Sequence, residues 1–290
     1  MSNPLLSVCL ITYNHVDFIR DAIEGVLMQK VDFSWELIIA DDFSTDGTRE
    51  ILIEYQKQHP EFIKLILQKK NVGAGLNWID LIKSPISKYV AYFEGDDYWT
   101  DPKKLAKQVK ILEDNPEYNA CFHNATIIYS GTENSEKLVY PLKRKETITI
   151  EDLLQGDYLK SCSLVYRNHK NLLDPIINGS IPPDDTSLGY CLLQAGAKAK
   201  YLNESMAIYR IHKASTWSLL PYAEQNLWVL NDTKNRYKYY YTNLVMRKGI
   251  KNILLYNLKE RVKIELKRYK FINAIIYVKE FINYKYFNFH

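Results

Sequence analysis

The chain has 290 residues, of which 47% are hydrophobic and 25% are charged. This composition is ordinary for a packed globular protein, so a disordered chain is not the default expectation. No run of 18 or more uncharged apolar residues occurs, and the first ten residues lack the basic start and cleavage site of a secretory signal. We therefore expect a cytoplasmic protein without a transmembrane helix.

The net charge of +4 is unevenly distributed along the chain. From Met246 to the end there are 11 Lys and Arg residues against 3 Glu, so this segment carries about +8 and the remainder about −4. The basic surplus therefore belongs to the C-terminal region.

Strand and helix patterns alternate in the first 100 residues. Continuous apolar runs, typical of strands that are buried on both faces, occur at 5–11, 35–40, 62–67 and 89–93. Helical stripes of apolar residues lie between the first three of these runs, at 17–29 and 46–59. This alternation predicts βαβ units and a parallel sheet, and therefore an α/β fold.

Shorter elements are predicted in the remainder of the chain. Asp101-Pro102 is typical of a helix start, and the apolar spacing continues to Leu112. The sequence at 149–152 resembles a capping box. The other predicted elements are strands at 120–129, 161–166 and 200–209, a helix at 188–195, and mainly helical structure from Tyr222 onward.

Polar residues follow three of the predicted strands, at the edge where an open parallel sheet binds its ligand. These residues are Thr12-Tyr13-Asn14, Asp41-Asp42 and Glu94-Gly95-Asp96-Asp97. Strand-end carboxylates suit hydrogen bonds from a ribose or a base, and Tyr13 suits stacking on a base. The alternative is that residues 42–47 form only a polar turn that caps the next helix.

The acids at 94–97 favour a metal site. Three carboxylates within four residues repel one another and resist burial. A divalent cation removes this cost, and Mg²⁺ or Mn²⁺ typically joins one or two carboxylates to the oxygens of a diphosphate. The alternative is a loop whose acids are simply solvated.

Taken in order, these motifs resemble those of family 2 glycosyltransferases of the GT-A fold, from about Leu5 to about Ser218. The resemblance rests on Ser7-Val8, Thr12-Tyr13-Asn14, Asp41-Asp42-x-Ser44-x-Asp46-Gly47-Thr48, Asn71-x-Gly73 with Asn77, Glu94-Gly95-Asp96-Asp97-Tyr98-Trp99, Asp101-Pro102, Lys104-Leu105, Tyr209-Arg210-x-His212 and Trp217-Ser218. It implies a Rossmann-like nucleotide-binding sheet flanked by helices, with a helical C-terminal extension. It also implies a bacterial enzyme of surface-polysaccharide synthesis.

The resemblance implies roles for the matching residues. The donor-binding set would be Thr12, Tyr13, Asn14, Asp41, Asp42, Asn71, Asn77, Glu94, Gly95 and Asp96. The metal, Mn²⁺ or Mg²⁺, would be held by Asp96, Asp97 and His212. Glu94 stands where the family's D-x-D motif begins with Asp, which is a departure from the pattern. We expect structural roles for the other histidines, at 15, 59, 123, 169 and 290.

The catalytic base of the family is an acid at the start of a helix below the acceptor. In this chain Asp185 matches that place best, with Asp184 as its rival. The alternative for either residue is simple capping of the helix that follows. The implied reaction is a single in-line displacement that inverts the anomeric carbon, with a general base on one face and a metal at the leaving diphosphate.

The implied donor is a nucleotide sugar, with UDP favoured over dTDP and GDP, and the acceptor is a glycan or a lipid-linked sugar in capsule, lipopolysaccharide or teichoic acid assembly. Two rival classes are a sugar nucleotidyltransferase and a non-catalytic nucleotide-sugar-binding relative. The first is disfavoured because residues 10–14 lack a glycine-rich phosphate loop. The second is disfavoured because both Asp96 and Asp185 are present.

Two domains are predicted. Residues 1–220 would form the catalytic domain, with nucleotide-sugar binding at about 1–100 and acceptor binding at about 101–220. Residues 221–290 would form a basic, aromatic-rich helical region that either lies on the inner face of the cell membrane or packs on the protein or on a second subunit of a homodimer. Nucleic-acid binding is not expected, because no motif for it is present.

Overall fold

The computed structural model of the chain describes residues 3–130, 137–169, 171–215 and 219–287. The chain divides into two compact units. The first unit comprises residues 1–150, 158–178 and 183–212, and the second comprises residues 151–157, 179–182 and 213–290. All strands of the described residues belong to the first unit, whereas the second is helical.

Ten β-strands of the described residues form one mixed sheet. Their bounds are β1 Leu6–Thr12, β2 Trp35–Asp41, β3 Ile63–Leu67, β4 Tyr89–Glu94, β5 Tyr98–Trp99, β6 Tyr118–Tyr129, β7 Lys137–Leu138, β8 Thr147–Ile148, β9 Val165–Arg167 and β10 Lys198–Ile211. The strand order is β3-β2-β1-β4-β9-β6-β10-β5, while β7 pairs with β6 and β8 with β10. The predicted α/β fold with a central sheet is confirmed.

The first four long strands form a parallel half-sheet. β1 pairs in parallel with both β2 and β4, and β2 pairs in parallel with β3. In this register Thr12 lies opposite Asp41, and Ile11 lies opposite Glu94. The carboxyl ends of three strands therefore meet at one edge. β9 is antiparallel to both of its neighbours, β4 and β6, and it joins this half-sheet to the parallel pair β6 and β10.

Helices occur between the strands and at the C-terminal end. Their bounds are α1 Ile19–Leu27, α2 Thr48–Gln58, α3 Ala74–Ile82, α4 Lys104–Asp114, α5 Ile150–Leu154, α6 Asp174–Ile177, α7 Asp185–Leu192, α8 Tyr222–Tyr239, α9 Leu244–Lys267 and α10 Phe271–Ile282. A π-helical turn, Asn283–Phe287, follows α10. The helical C-terminal region predicted from Tyr222 onward is therefore present.

The main core lies between the sheet and the helices of the first unit. All seven residues of β1 are buried, as the apolar run predicted. The stripe of Ile19, Ile23 and Val26 on α1 belongs to the same hydrophobic cluster as β1. α3 was not predicted, because Gly73 and Gly75 at its start weaken the helical signal.

The segment predicted as a strand at 161–166 is mostly a turn. Ser161–Ser163 form a 3₁₀ turn, and only Val165–Arg167 are in a strand. The Ser163 hydroxyl donates to the Lys160 carbonyl at 2.7 Å, and the Leu164 N–H donates to the Ser161 carbonyl at 3.0 Å. Serine side chains that bond to nearby backbone in this way compete with strand pairing.

Burial changes the acid–base properties of a lysine in α4. The Lys104 ammonium donates to Gln108 Oε1 at 2.8 Å and lies 3.9 Å from the centroid of the Trp99 ring. Burial lowers the pKa of Lys104 to about 7.

Among the described residues, no helix combines the length and apolar character needed to cross a membrane.

Gly25 lets α1 approach the backbone of Trp99 on β5. A Cβ atom at this position would lie 2.9 Å from the Trp99 nitrogen and 3.0 Å from its carbonyl oxygen. In most helices Gly→Ala increases stability by about 1 kcal/mol. We expect Gly25→Ala instead to lower the free energy of unfolding by about 1 to 3 kcal/mol, because the backbone must move. Urea denaturation followed by circular dichroism checks this.

The control for this measurement is Arg20→Ala on the same helix. Arg20 pairs with Glu54, and about half of each side chain is exposed, so the substitution should leave the denaturation midpoint unchanged. A Gly25→Ala protein that is as stable as the wild type would show that the two backbones separate easily.

Candidate active site

The loops after β1 and β2 are tied together by hydrogen bonds. Asn14 adopts a left-handed backbone conformation, with φ of 53°, which asparagine tolerates better than most residues. Its N–H donates to Ser44 Oγ at 2.8 Å, and its Oδ1 accepts from the Thr45 N–H at 3.0 Å. Tyr13, the residue before it, is 45% exposed. The geometry therefore leaves the Tyr13 ring accessible at the end of β1.

Asp41 and Asp42 are both buried, and each has a protein partner. Asp41 accepts from Arg49 Nε at 2.7 Å and from the Ser44 N–H at 3.2 Å. Asp42 accepts from the Val72 N–H at 2.7 Å and from the Gly73 N–H at 2.9 Å. These contacts hold the loops after β2 and β3 in place.

The two predicted asparagines lie in different environments. Asn71 is exposed, and its Nδ2 donates to the Asp42 carbonyl at 3.4 Å. Asn77 is fully buried in α3, where its Nδ2 donates to the Ala40 carbonyl at 3.1 Å. The contacts of Asn77 are therefore those of an internal support for β2.

Asp96 lies beside two histidines. Its Oδ2 is 3.0 Å from His212 Nε2, and His15 completes a group whose ligand atoms all lie within 4.8 Å of one another. Burial and the nearby His212 lower the pKa of His15, which keeps its imidazole neutral and able to bind a cation. Two imidazoles and a carboxylate at this spacing form a possible metal site.

The charge on Asp96 is stabilised within this group. Burial opposes ionisation, but the hydrogen bond with His212 and the proximity of His15 hold the pKa of Asp96 below its ordinary value. The carboxylate is therefore ionised, as a metal ligand must be.

Gly95 gives the backbone of this loop room to approach β1. A Cβ atom here would lie 2.9 Å from Thr12 Oγ1 and 3.1 Å from His15 Nδ1. The Thr12 hydroxyl is itself within 3.1 Å of His15 Nδ1. Gly95 and Thr12 therefore position His15 beside Asp96.

Asp97 faces a different environment from Asp96. It is fully buried, its Oδ1 accepts from the Arg210 N–H at 2.9 Å, and its Oδ2 has no hydrogen-bond partner among the described residues. Burial, with the nearby charge of Asp96, raises the pKa of Asp97 well above its ordinary value. Asp97, predicted as a second metal ligand, is not part of the His15, Asp96 and His212 group.

Glu94 belongs to a second polar cluster, which includes Ser161 and Lys160. Glu94 accepts from Ser161 Oγ at 2.7 Å and from the Tyr92 hydroxyl at 3.3 Å. Burial raises the pKa of Glu94, Lys160 partly offsets this, and the charge of Asp96 adds to it. The Lys160 ammonium also lies 3.5 Å from the centroid of the Tyr209 ring.

Asp184 and Asp185 have separate roles at the start of α7. Asp184 is the N-cap, and its Oδ1 accepts from the Ser187 N–H at 2.8 Å. Asp185 is the first helical residue and lies near Glu94 and Lys160. Burial, followed by the charge of Glu94, raises the pKa of Asp185 to about 7, although Lys160 opposes the shift.

The sequence prediction missed three residues of these clusters. His15 was assigned a structural role, Ser161 was predicted to begin a strand, and Lys160 was given no role. Their proximity to Asp96 and Glu94 depends on contacts between distant segments, and no local pattern indicates it. Trp217 and Ser218 were part of the motif resemblance, and they lie outside the described residues.

The sequence of the chain matches a family model over residues 7–171, which is more than half of its length. The model describes glycosyl transferase family 2. The chain therefore belongs to this family, as the motif order predicted.

Two relatives illustrate the similarity to known sequences. The uncharacterized protein Rv1520 of Mycobacterium tuberculosis is 38% identical over 213 residues, which cover 73% of this chain and 60% of Rv1520. The chain thus spans less than two thirds of that relative. TuaG of Bacillus subtilis is 29% identical over 225 residues, which cover 78% of this chain and 86% of TuaG. The name of TuaG provisionally assigns it to teichuronic acid biosynthesis as a glycosyltransferase.

The fold is similar to that of S. aureus TarS, whose residues 1–349 were crystallised with UDP-GlcNAc. The TM-score is 0.67, and the match covers 96% of this chain and 81% of the TarS chain at 18% sequence identity. At that identity the likeness concerns the fold, and it supports the GT-A architecture.

Mn²⁺ binding distinguishes the observed group of His15, Asp96 and His212 from the predicted set of Asp96, Asp97 and His212. We expect His15→Ala and Asp96→Ala each to weaken Mn²⁺ binding by at least about tenfold, because each removes one ligand. Asp97→Asn should bind Mn²⁺ like the wild type, since Asp97 is not part of the ligand group and its Oδ1 accepts from the Arg210 N–H instead. Isothermal titration calorimetry gives the three affinities. Loss of binding in Asp97→Asn with normal binding in His15→Ala would contradict this arrangement.

Proposed function

We propose that the protein is a metal-dependent inverting glycosyltransferase that transfers a sugar from a UDP-linked donor to a hydroxyl of a glycan or lipid-linked acceptor. The family and the named role of TuaG support a place in bacterial surface-polysaccharide synthesis. The UDP-GlcNAc bound to TarS, which has the same fold, supports a nucleotide-sugar donor.

The observation that carries this proposal is the environment of Asp185. A general base works best when its pKa lies near the operating pH, and the pKa of Asp185 is raised to about 7. Asp184 caps α7 through its side chain, so Asp185 does not have to serve as the cap. In the proposed reaction Asp185 accepts the proton of the acceptor hydroxyl as the new glycosidic bond forms.

Lys160 and Ser161 would hold the cluster around the base. Ser161 donates to Glu94, which keeps this second acid oriented close to Asp185. Nearby Tyr209, Glu94 and Asp97 raise the pKa of Lys160 even though burial opposes this, so the ammonium stays charged. Its positive charge limits the pKa of Asp185 and so preserves a useful ionised fraction at neutral pH.

The leaving diphosphate would be stabilised at the cluster of Asp96 and the two histidines. His15, Asp96 and His212 would hold Mn²⁺ or Mg²⁺, and the ionised carboxylate with neutral imidazole suits Mn²⁺ in particular. When bound, such an ion neutralises charge that develops on the diphosphate. His15 and His212 would keep Asp96 oriented toward it.

The proposed donor residues divide into two kinds. Exposed Tyr13 would stack on the base, with Asn71 and Glu94 beside the sugar nucleotide. Buried Asp41, Asp42 and Asn77 would act through the loop backbone that they already hold. We further propose that residues 1–220 contain the catalytic domain and that 221–290 form a separate helical region.

Substitution of the two neighbouring acids tests the proposed base. Asp185→Asn should lose transfer activity by at least about 10²-fold, because the amide cannot accept the proton of the acceptor hydroxyl, while donor binding is retained. Asp184→Asn should keep both activity and stability, since asparagine caps a helix as well as aspartate does. Rates of nucleoside diphosphate release are measured with the UDP-sugar that most increases the melting temperature. An active Asp185→Asn protein would exclude this residue as the base.

The pH profile follows from the raised pKa of Asp185. The carboxyl must be ionised to accept a proton, so kcat/KM should be constant well above pH 7 and fall about tenfold per pH unit well below it. An ordinary aspartate would move this fall to near pH 4. The residual kcat/KM of Asp185→Asn should not show this fall below pH 7. Circular dichroism at each pH separates loss of activity from unfolding.

A further inference from the structure

The outer face of α10 is apolar and exposed to solvent. The large apolar residues of α10 that are more than 40% exposed are Phe271, Ile272, Ile275, Ile276 and Ile282, at 59%, 77%, 55%, 49% and 41%. We call these five residues the α10 face. Contiguous apolar surface of this kind is rare on soluble proteins and marks a binding surface.

The α10 face is not the side by which the helix packs within the second unit. Ala274 on the opposite side is buried, and Asn273 Nδ2 donates to Glu265 Oε2 of α9 at 3.3 Å. Tyr277 lies under the Arg261 guanidinium, and Phe281 lies under the Lys259 ammonium. The helix is therefore held on α9 by its other side, while the side chains of the α10 face remain between 41% and 77% exposed.

Basic residues surround the α10 face. Lys267, Arg268 and Lys270 precede the helix, and Lys279 and Lys285 lie toward its end. Within residues 266–286 the only acid is Glu280, which forms an ion pair with Lys234 at 2.6 Å. The surface around the apolar residues is therefore strongly positive.

We infer that the α10 face and its basic flanks bind the surface of an anionic lipid bilayer. The twelve residues of α10 extend for about 18 Å, which is too short to cross a hydrocarbon core of about 30 Å, so the helix would lie in the plane of the membrane. Exposed Tyr269 and Tyr286, at its two ends, have the amphipathic rings that favour the interface.

Charge favours lipid over a second copy of the chain. Two copies that met through this surface would bring two sets of basic residues together, without the acids needed to pair them. Anionic headgroups instead neutralise the basic flanks while the apolar face enters the acyl boundary. Membrane binding requires no catalytic step, so its test is independent of the proposed transfer reaction.

Sedimentation of the full chain with vesicles tests the inference. The protein should bind vesicles made of equal parts phosphatidylcholine and phosphatidylglycerol, and binding should be at least about tenfold weaker on phosphatidylcholine alone. Ile272→Ser with Ile276→Ser should weaken binding to the mixed vesicles by at least about tenfold. Both positions are exposed, so the melting temperature should not change.

Matched variants separate this surface from general effects. Lys267→Gln, Arg268→Gln and Lys270→Gln together should weaken binding by at least about tenfold, whereas the same change of charge at Lys30, Lys57 and Lys83 should not. Likewise, Ile86→Ser with Leu142→Ser, at two exposed apolar residues of the first unit, should leave binding intact.

Three results would overturn the inference. The first is a wild-type protein that sediments with neither type of vesicle, and the second is a loss of binding on substitution of Lys30, Lys57 and Lys83 as large as that for Lys267, Arg268 and Lys270. Alternatively, Ile272→Ser with Ile276→Ser could convert a dimer to a monomer in light scattering without any change in vesicle binding. That last result would assign the α10 face to a second copy of the chain.

Discussion

The parallel pairing of β1 with β2 and β4 is the constraint on which the candidate site depends. Parallel strands end at the same edge, and the observed register sets Thr12 opposite Asp41 and Ile11 opposite Glu94. β1 is buried along its whole length, so neither its register nor its direction can change without exposing the core. The loops that carry the site residues are therefore brought together by the same hydrophobic burial that stabilises the sheet.

The acids at this edge are stabilised in different ways, and they do not act as a single cluster. Asp41 is paired with Arg49, Asp42 accepts from two backbone N–H groups, and Asp97 is buried with a raised pKa. Only Asp96 joins the two histidines, while Asp185 lies near Glu94 and Lys160. Repulsion among neighbouring carboxylates is thus relieved mainly by the protein, and of these acids only Asp96 belongs to the possible metal site.

The fold was largely predictable, and the clusters were less so. Apolar runs predicted the four long strands of the parallel half-sheet, because a strand buried on both faces leaves a continuous signal. α3 and the Ser161–Ser163 turn were not predicted, since glycines and local serine hydrogen bonds override the apolar pattern. No sequence feature distinguishes His15 from a structural histidine. Its position beside Asp96 depends on the close approach that Gly95 allows.

By itself, the sequence determined the α/β class, the family, the strand ends that carry polar residues, and the concentration of basic charge after Met246. These properties are local or compositional, so they can be read without knowing which segments meet. Only the tertiary structure decided which acid lies beside the histidines, why burial raises the pKa of Asp185 while Asp184 caps α7, and which face of α10 remains exposed. Each of these depends on desolvation and on charges from distant segments, and both arise only when the chain is packed.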